Sequence, residues 1–318
     1  MKNVLLFTDP GIDDSLAIIY CILNPQINLV GIVASYGNVP KEQAVENVNY
    51  LLEISNLQKI PVIRGAEGPL TGDISVYYPE IHGPEGLGPI LPPETVSQEF
   101  KSFNEIFKIV ATYENDLVIV DVGRNTTLAM ALLLEPDIMQ MANEYYMMGG
   151  AFLVPGNVTP VAEANVHGDP TATGIVLTRA KNITIFPLNV TNYAYVNENM
   201  AEFIQQKAQN PFRTLVPKII EYYIESYKKL VPGLPGAPLH DVLTVSALVN
   251  PGLCSFIQKA VIVQDILGPA FGITIADFRK RAKEDIDPSI KTCRIAIQLN
   301  YQLFYQDFLE TMTRKIVE

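Results

Sequence analysis

A chain of 318 residues, 48% hydrophobic and 18% charged, can bury a substantial core, which excludes a disordered or low-complexity protein. Its formal net charge of -11 argues against nucleic acid or an anionic membrane as partner, and suits a protein whose carboxylates hold a cation. No apolar run reaches bilayer length and no secretory signal pattern opens the chain, so the sequence reads as a cytoplasmic protein without a membrane partner. Cys21, Cys254 and Cys293 are widely spaced among apolar neighbours and read as buried free thiols.

The first apolar run, Val4–Phe7, predicts a strand, and Asp13–Leu23 behind it a helix. The alternation continues with strands at Ile27–Ser35, Ile60–Ile63, Leu117–Val122, Glu144–Met148 and Ile183–Asn189. Helices are predicted between them at Lys41–Ile54, Ser102–Glu114, Thr126–Leu134 and Pro170–Ala180. Strands this uniformly apolar suit a sheet covered on both faces. The expectation is an α/β fold with an open, mostly parallel sheet flanked by helices, a Rossmann-like core with ligands at the carboxyl ends of its strands. Residues 197–230 read as a helical excursion, closed by the Pro- and Gly-rich "VPGLPGAP" before His240. Val261–Leu267, Phe271–Ala276 and Arg294–Leu299 read as late strands, a hairpin or an edge addition, and Gln302–Val317 as a final helix. With no repeat and no convincing linker, residues 1–318 are read as one domain.

The chemistry concentrates at the first turn, "FTDPGIDD", where Asp9, Asp13 and Asp14 stand between a strand and a helix. Capping and the helix dipole account for one or two carboxylates in a first helical turn, but not for Asp9 as well. A hard divalent cation offsets the repulsion of all three; calcium takes carboxylate and carbonyl oxygens, whereas zinc would want His or Cys. A phosphate-binding loop is excluded because no Gly-rich run ends in Lys-Ser/Thr. A haloacid dehalogenase-type phosphatase would need a second Asp where Gly11 stands. Further polar clusters close later strands: "SYGNVP" with Asn38, "IHGPEGLG" with His82, "MMGGAFLVPGNVTPVAEANVHGDP" with Asn157, Glu163 and Asn165, and "PLHDVLTV" with His240 and Asp241.

In this order, these segments resemble the inosine-uridine-preferring nucleoside hydrolase family, from about Val4 to at least Val249. The family opens with Asp-x-Asp-Pro-Gly-x-Asp-Asp, then carries the Gly-Asn turn, the His-Gly loop, the Met-Gly-Gly to Glu-x-Asn loop and a late His-Asp pair. The resemblance implies Ca²⁺-dependent hydrolysis of the N-glycosidic bond of ribonucleosides to free base and ribose, through an oxocarbenium-like transition state. It implies that Asp9, Asp14 and Asp241 hold Ca²⁺ with the Val122 carbonyl, and that Asp9 is the base toward a water on that ion. It puts Asp13, Asn165 and Asp241 at the 2′- and 3′-hydroxyls, Asn157 and Glu163 at the 5′-hydroxyl, and Asn38 and Met148 along the sugar pocket. His82 would sit by the base and His240 would donate a proton to it. Tyr223 and Tyr227, four apart on one helix face, would form a flap over the 5′ side or the base, or else simply pack. A homodimer or homotetramer acting in nucleoside salvage is implied as well.

Two positions depart from the family's pattern. Phe7 replaces the first Asp and, by strand alternation, points to the same side as Asp9; an aromatic there reads as core. Its loss of a carboxylate motivates the rival reading, a non-catalytic calcium- or ribose-binding protein on the same scaffold. "EAN" replaces the family's Glu-Phe-Asn, so Ala164 reshapes the pocket near the sugar.

Overall fold

The computed structural model describes residues 1–93, 96, 99–279 and 291–316. Eight strands make the main sheet: β1 (Lys2–Thr8), β2 (Ile27–Ala34), β3 (Val62–Arg64), β4 (Leu117–Asp121), β5 (Glu144–Met148), β6 (Ile183–Phe186), β7 (Cys254–Ala260) and β8 (Thr292–Leu299). Their spatial order is β3-β2-β1-β4-β5-β6-β8-β7. Every neighbouring pair is parallel except β8 and β7, which run antiparallel at one edge.

Nine helices matter to the core: α1 (Ile12–Leu23), α2 (Lys41–Ser55), α3 (Glu105–Tyr113), α4 (Thr126–Leu134), α5 (Pro170–Arg179), α6 (Glu198–Lys207), α7 (Leu215–Leu230), α8 (His240–Ser246) and α9 (Tyr301–Thr313). Side chains alternate across β1, so Val4 and Leu6 pack with α1, α2 and α6 to α9, while Leu5 and Phe7 pack with α3 to α5. Phe7 is therefore core on the second face. The chain leaves β1 for β2 and β3 on one side, then returns to start β4 on the other. The crevice outside the carboxyl ends of β1 and β4 is the switch point where such a sheet takes its ligand.

Several boundaries differ from the sequence expectation for local reasons. Pro61 has no N–H for the ladder, so β3 starts at Val62. Pro187 ends β6 at Phe186, and Leu188–Thr191 turns into a short helix. The helical excursion divides at Asn210, whose side chain caps a 3₁₀ turn at Pro211–Arg213. Of the late segments, Ile262–Val263 and Thr274–Ile275 form a small antiparallel hairpin. Arg294–Leu299 belongs to β8, which lies inside the sheet beside β6. The edge strand β7 was not foreseen, because four of its seven residues are only half-buried and two are exposed, which leaves no clean period. The last helix ends at Thr313, and the expected end at Val317 lies outside the described residues. Cys21, Cys254 and Cys293 are buried and unbridged.

Candidate active site

The turn after β1 is held by Asp14. Its Oδ1 accepts from the Thr8 hydroxyl at 2.6 Å and the Asp9 N–H at 3.1 Å. Its Oδ2 accepts from the Gly11 N–H at 3.2 Å, half of a capping arrangement for α1, and from Asn38 Nδ2 at 2.8 Å. Capping thus uses Asp14, but leaves Asp9 and Asp13 unexplained. Asp9 Oδ2 accepts the Asn38 N–H at 2.7 Å, while Asp9 Oδ1 and Asp13 Oδ1 are buried without a partner. Glycine is required where the chain closes on Asp9: a Cβ at Gly37 would fall 1.6 Å from Asp9 Oδ2, and one at Gly123 2.6 Å from Oδ1.

Asp241, at the start of α8, completes the acidic group. Oxygens of Asp13, Asp14 and Asp241 lie within 4.8 Å of one another. Asp9 stands just behind, close enough that the Asp14 charge bears on it. Burial, reinforced by the neighbouring carboxylates, raises Asp9, Asp13 and Asp241 well above the usual carboxylate range. Unpartnered buried oxygens, mutual repulsion and an all-oxygen donor set suit a hard divalent cation.

The group borders a cavity of about 520 Å³. Asp13, Asn38, His82, Val122, Met148 and Asn157 line it, with Glu163, Asn165, Tyr223, Tyr227, His240 and Asp241. Asp9 and Asp14 are buried and are not among the residues that line it. Asn165 Nδ2 donates to the Val122 carbonyl at 2.8 Å, which leaves that carbonyl a second lone pair and the amide its oxygen. Glu163 accepts the Asn165, Val166 and Gly150 N–H groups at 2.8, 3.1 and 3.0 Å, which occupies most of its acceptor capacity. Asn157 Oδ1 accepts from the Ala164 N–H at 2.9 Å, so it braces the same short helix, Ala164–Gly168.

The two cavity histidines are neutral. Burial lowers His82 to about 4, and its Nδ1 accepts the Ile12 N–H at 3.0 Å, which assigns the ring proton to Nε2. Burial lowers His240 to about 3; its Nδ1 meets Thr191 Oγ1 at 2.8 Å and its Nε2 meets the Tyr227 hydroxyl at 3.4 Å. Tyr223 packs edge-on against Tyr227 and tilts over His82, with ring centroids 4.9 and 5.8 Å apart. Tyr223 is buried and Tyr227 partly buried, and both line the cavity, so packing and cavity lining coincide. His167 lies outside this cavity, beside Phe271.

The profile of the inosine-uridine preferring nucleoside hydrolases matches residues 4–306. This chain belongs to that family. The enzyme class read from the sequence, an N-ribosyl hydrolase, stands with it. Uridine nucleosidase 1 of Arabidopsis thaliana is 32% identical over 87% of this hydrolase and 82% of its own length. The pyrimidine-specific ribonucleoside hydrolase RihA of Escherichia coli is 32% identical over 86% and 88%. Among solved structures, a plant nucleoside hydrolase, PpNRh1, superposes with a TM-score of 0.90 at 28% identity, covering 98% of this chain and 99% of its own. A purine-preferring ribonucleoside hydrolase from Gardnerella vaginalis superposes at 0.89, with 30% identity and 98% of each chain covered.

Sequence reasoning passed over three groups that the fold brings to this hydrolase's site. Arg124 is buried, donates through Nη2 to the Gly37 and Val76 carbonyls, and covers the Tyr36 ring at 5.0 Å. Its charge partly offsets the raised pKa of Asp9. Thr191 reaches His240 from the helix after β6, and Asp121 lies buried at the end of β4. Only "DVGRN", with two opposite charges at a strand end, offered a signal.

Proposed function

We propose that this hydrolase splits ribonucleosides into free base and ribose, with Ca²⁺ held by Asp9, Asp14, Asp241 and the Val122 carbonyl. What carries this reading is the set of four buried aspartates at the switch point, two with an unpartnered oxygen beside a nucleoside-sized cavity. Bound there, Ca²⁺ would supply Lewis-acid activation of water and a fixed charge for the sugar hydroxyls. Asp9 takes the proton of the attacking water at Oδ1, the buried carboxylate oxygen that has no other hydrogen-bond partner. Asp13, Asp241 and the Asn165 oxygen bind the 2′- and 3′-hydroxyls. Asn157 and the spare acceptor site of Glu163 take the 5′-hydroxyl, and Asn38 and Met148 shape the sugar pocket. This fixed negative field stabilises the positive charge that builds on the ribose ring as the N-glycosidic bond breaks.

On the leaving-group side, His82 Nε2–H and His240 face the base, and Tyr223 and Tyr227 close over it. His240, neutral in the free site, takes up a proton from solvent before it can act as the acid. The negative charge developing on the base favours that uptake, and the imidazolium then passes the proton to the base and returns to the neutral form. The relatives' names span uridine, pyrimidine and purine nucleosides, so the substrate class proposed is ribonucleosides as a whole. The chain is proposed to act as one domain over residues 1–318, in a cytoplasmic homodimer or homotetramer serving nucleoside salvage. Among the described residues no helix is long and apolar enough to cross a membrane.

The test is ribose release from inosine, uridine, adenosine and cytidine by chelator-stripped protein, with and without added Ca²⁺. Sugar release that requires Ca²⁺ is the expected result. Tight binding of ribose and Ca²⁺ without turnover of any nucleoside would identify a binding protein instead.

A further inference from the structure

Phe7 stands where the family's opening motif has its first Asp, yet the acid has not left the neighbourhood. In the register of β1 against β4, Phe7 is the direct partner of Asp121, and the Val122 N–H donates to the Phe7 carbonyl at 2.9 Å on the same rung. Partners on neighbouring parallel strands project to one face, so the two side chains lie side by side. Asp121 is 1% exposed. Its Oδ2 accepts from Asn125 Nδ2 at 2.9 Å, the Gly123 N–H is near enough to favour the charged form, and Oδ1 is buried without a hydrogen-bond partner. Neither ion pair nor salt bridge compensates this acid among the described residues, and the nucleoside chemistry above does not use it. A carboxylate so placed is costly unless the site draws on it.

The connections run toward the cation site. Gly123, two residues after Asp121, packs on Asp9 so closely that a Cβ there would lie 2.6 Å from Asp9 Oδ1. Val122, whose carbonyl lines the cavity, is the single residue between the two. Asn125 in turn accepts from the Thr173 hydroxyl at 2.9 Å, and Thr173 donates to the Asp169 carbonyl at 3.1 Å, which anchors the carboxylate to α5.

We propose that Asp121 is a positioning residue of the cation site, its carboxylate supplying from β4 what the family's motif supplies from position 7 on β1. It acts by fixing the turn that carries the Val122 carbonyl and Gly123 against Asp9 and, ionised when the ion is bound, by adding negative charge behind it. This rests on the Ca²⁺ site proposed above. A carboxylate can move between register partners without changing the pocket, because the two positions share one face and one rung.

Calcium titration calorimetry on chelator-stripped protein tests it, with the Ca²⁺-free melting temperature reporting folding. Removing a group that orients metal ligands typically costs about 10- to 100-fold in metal affinity, so Asp121→Asn should raise the Ca²⁺ Kd by at least tenfold. Asp121→Leu should do the same, and the exchange Phe7→Asp/Asp121→Leu should bring the Kd back toward the parent value. A hydrogen-bonding role confined to the local turn predicts no such recovery. Parent affinity in Asp121→Asn overturns the proposal, as does an exchange variant that folds but binds no better than Asp121→Leu. A parent protein that binds no Ca²⁺ overturns the Ca²⁺ site and this inference together, whereas unchanged variants of a binding parent overturn this inference alone.

Discussion

Gly37→Ala isolates the placement of Asp9 from its chemistry. Gly37 has no positive φ, so alanine brings no backbone strain. The added methyl, however, would sit 1.6 Å from Asp9 Oδ2, and real contacts of this kind stay beyond 3.0 Å. One of the two groups has to retreat by about 1.4 Å, the difference between those distances. The loop is tied by the Gly37 N–H to the Val39 carbonyl at 3.0 Å and by Arg124 at the Gly37 carbonyl, so the carboxylate yields first. It then loses the 2.7 Å bond from the Asn38 N–H. A misplacement near 1 Å typically costs about 10²-fold, so kcat/KM for ribose release should fall by about that factor, equivalent to ~2.7 kcal/mol of transition-state stabilisation. Overpacking should also lower stability by about 1–3 kcal/mol. The control is Gly174→Ala in α5, where nothing lies within 4 Å and the helix should gain about 1 kcal/mol with kcat/KM unchanged. A Gly37→Ala enzyme within twofold of the parent kcat/KM would refute the placement of Asp9.

Asp9→Asn keeps the shape but cannot take a proton, and should lower kcat by about 10²–10⁴-fold; near-parent turnover would leave Asp9 only a ligand role. His240→Ala should depress inosine hydrolysis strongly and spare p-nitrophenyl riboside, whose leaving group needs no proton, so equal losses in kcat/KM on the two would deny His240 the donor role. Chelation should lower the melting temperature, because an ion bound only by the folded state stabilises it, and a calorimetric scan with EDTA and then excess Ca²⁺ checks this. The chelated protein should also lose stability as pH rises from 6.5 to 8. In that window the raised carboxylates Asp13 and Asp121, each at about 8, still hold protons in the native state but not when unfolded. The native state then binds more protons, so stability falls with pH, whereas the lowered histidines contribute only below their unfolded pKa of about 6.5. A flat melting profile across that window would contradict the burial of these acids.

Much of this protein was legible in its sequence because the relevant forces act between near neighbours. β-branched runs and helical periods announced the alternation of strands and helices, and Pro61 and Pro187 set boundaries by removing a single N–H. "FTDPGIDD" placed three carboxylates within one turn, so no distant packing was needed to see that they repel. That the cluster lies at a carboxyl strand end followed from the parallel sheet. The approach of Asp241 to Asp13 and Asp14 did not follow from local pattern; it entered through the family's motif order.

What only the tertiary structure decided depends on register and on contacts far apart in the chain. Strand order placed β8 between β6 and the half-exposed edge strand β7, a choice made by pairing and not by hydrophobic period. Burial among distant apolar side chains set the direction of the shifts that sequence left open, lowering His240 and raising Asp9, Asp13 and Asp241 in the ion-free site. Arg124 reaches the Gly37 carbonyl across 87 residues and Thr191 meets His240 across 49, and nothing in their local patterns points to either contact. The pairing of Phe7 with Asp121 is of the same kind. Each residue by itself is an ordinary strand-end side chain, and only the parallel register shows a carboxylate beside the position where one was missing.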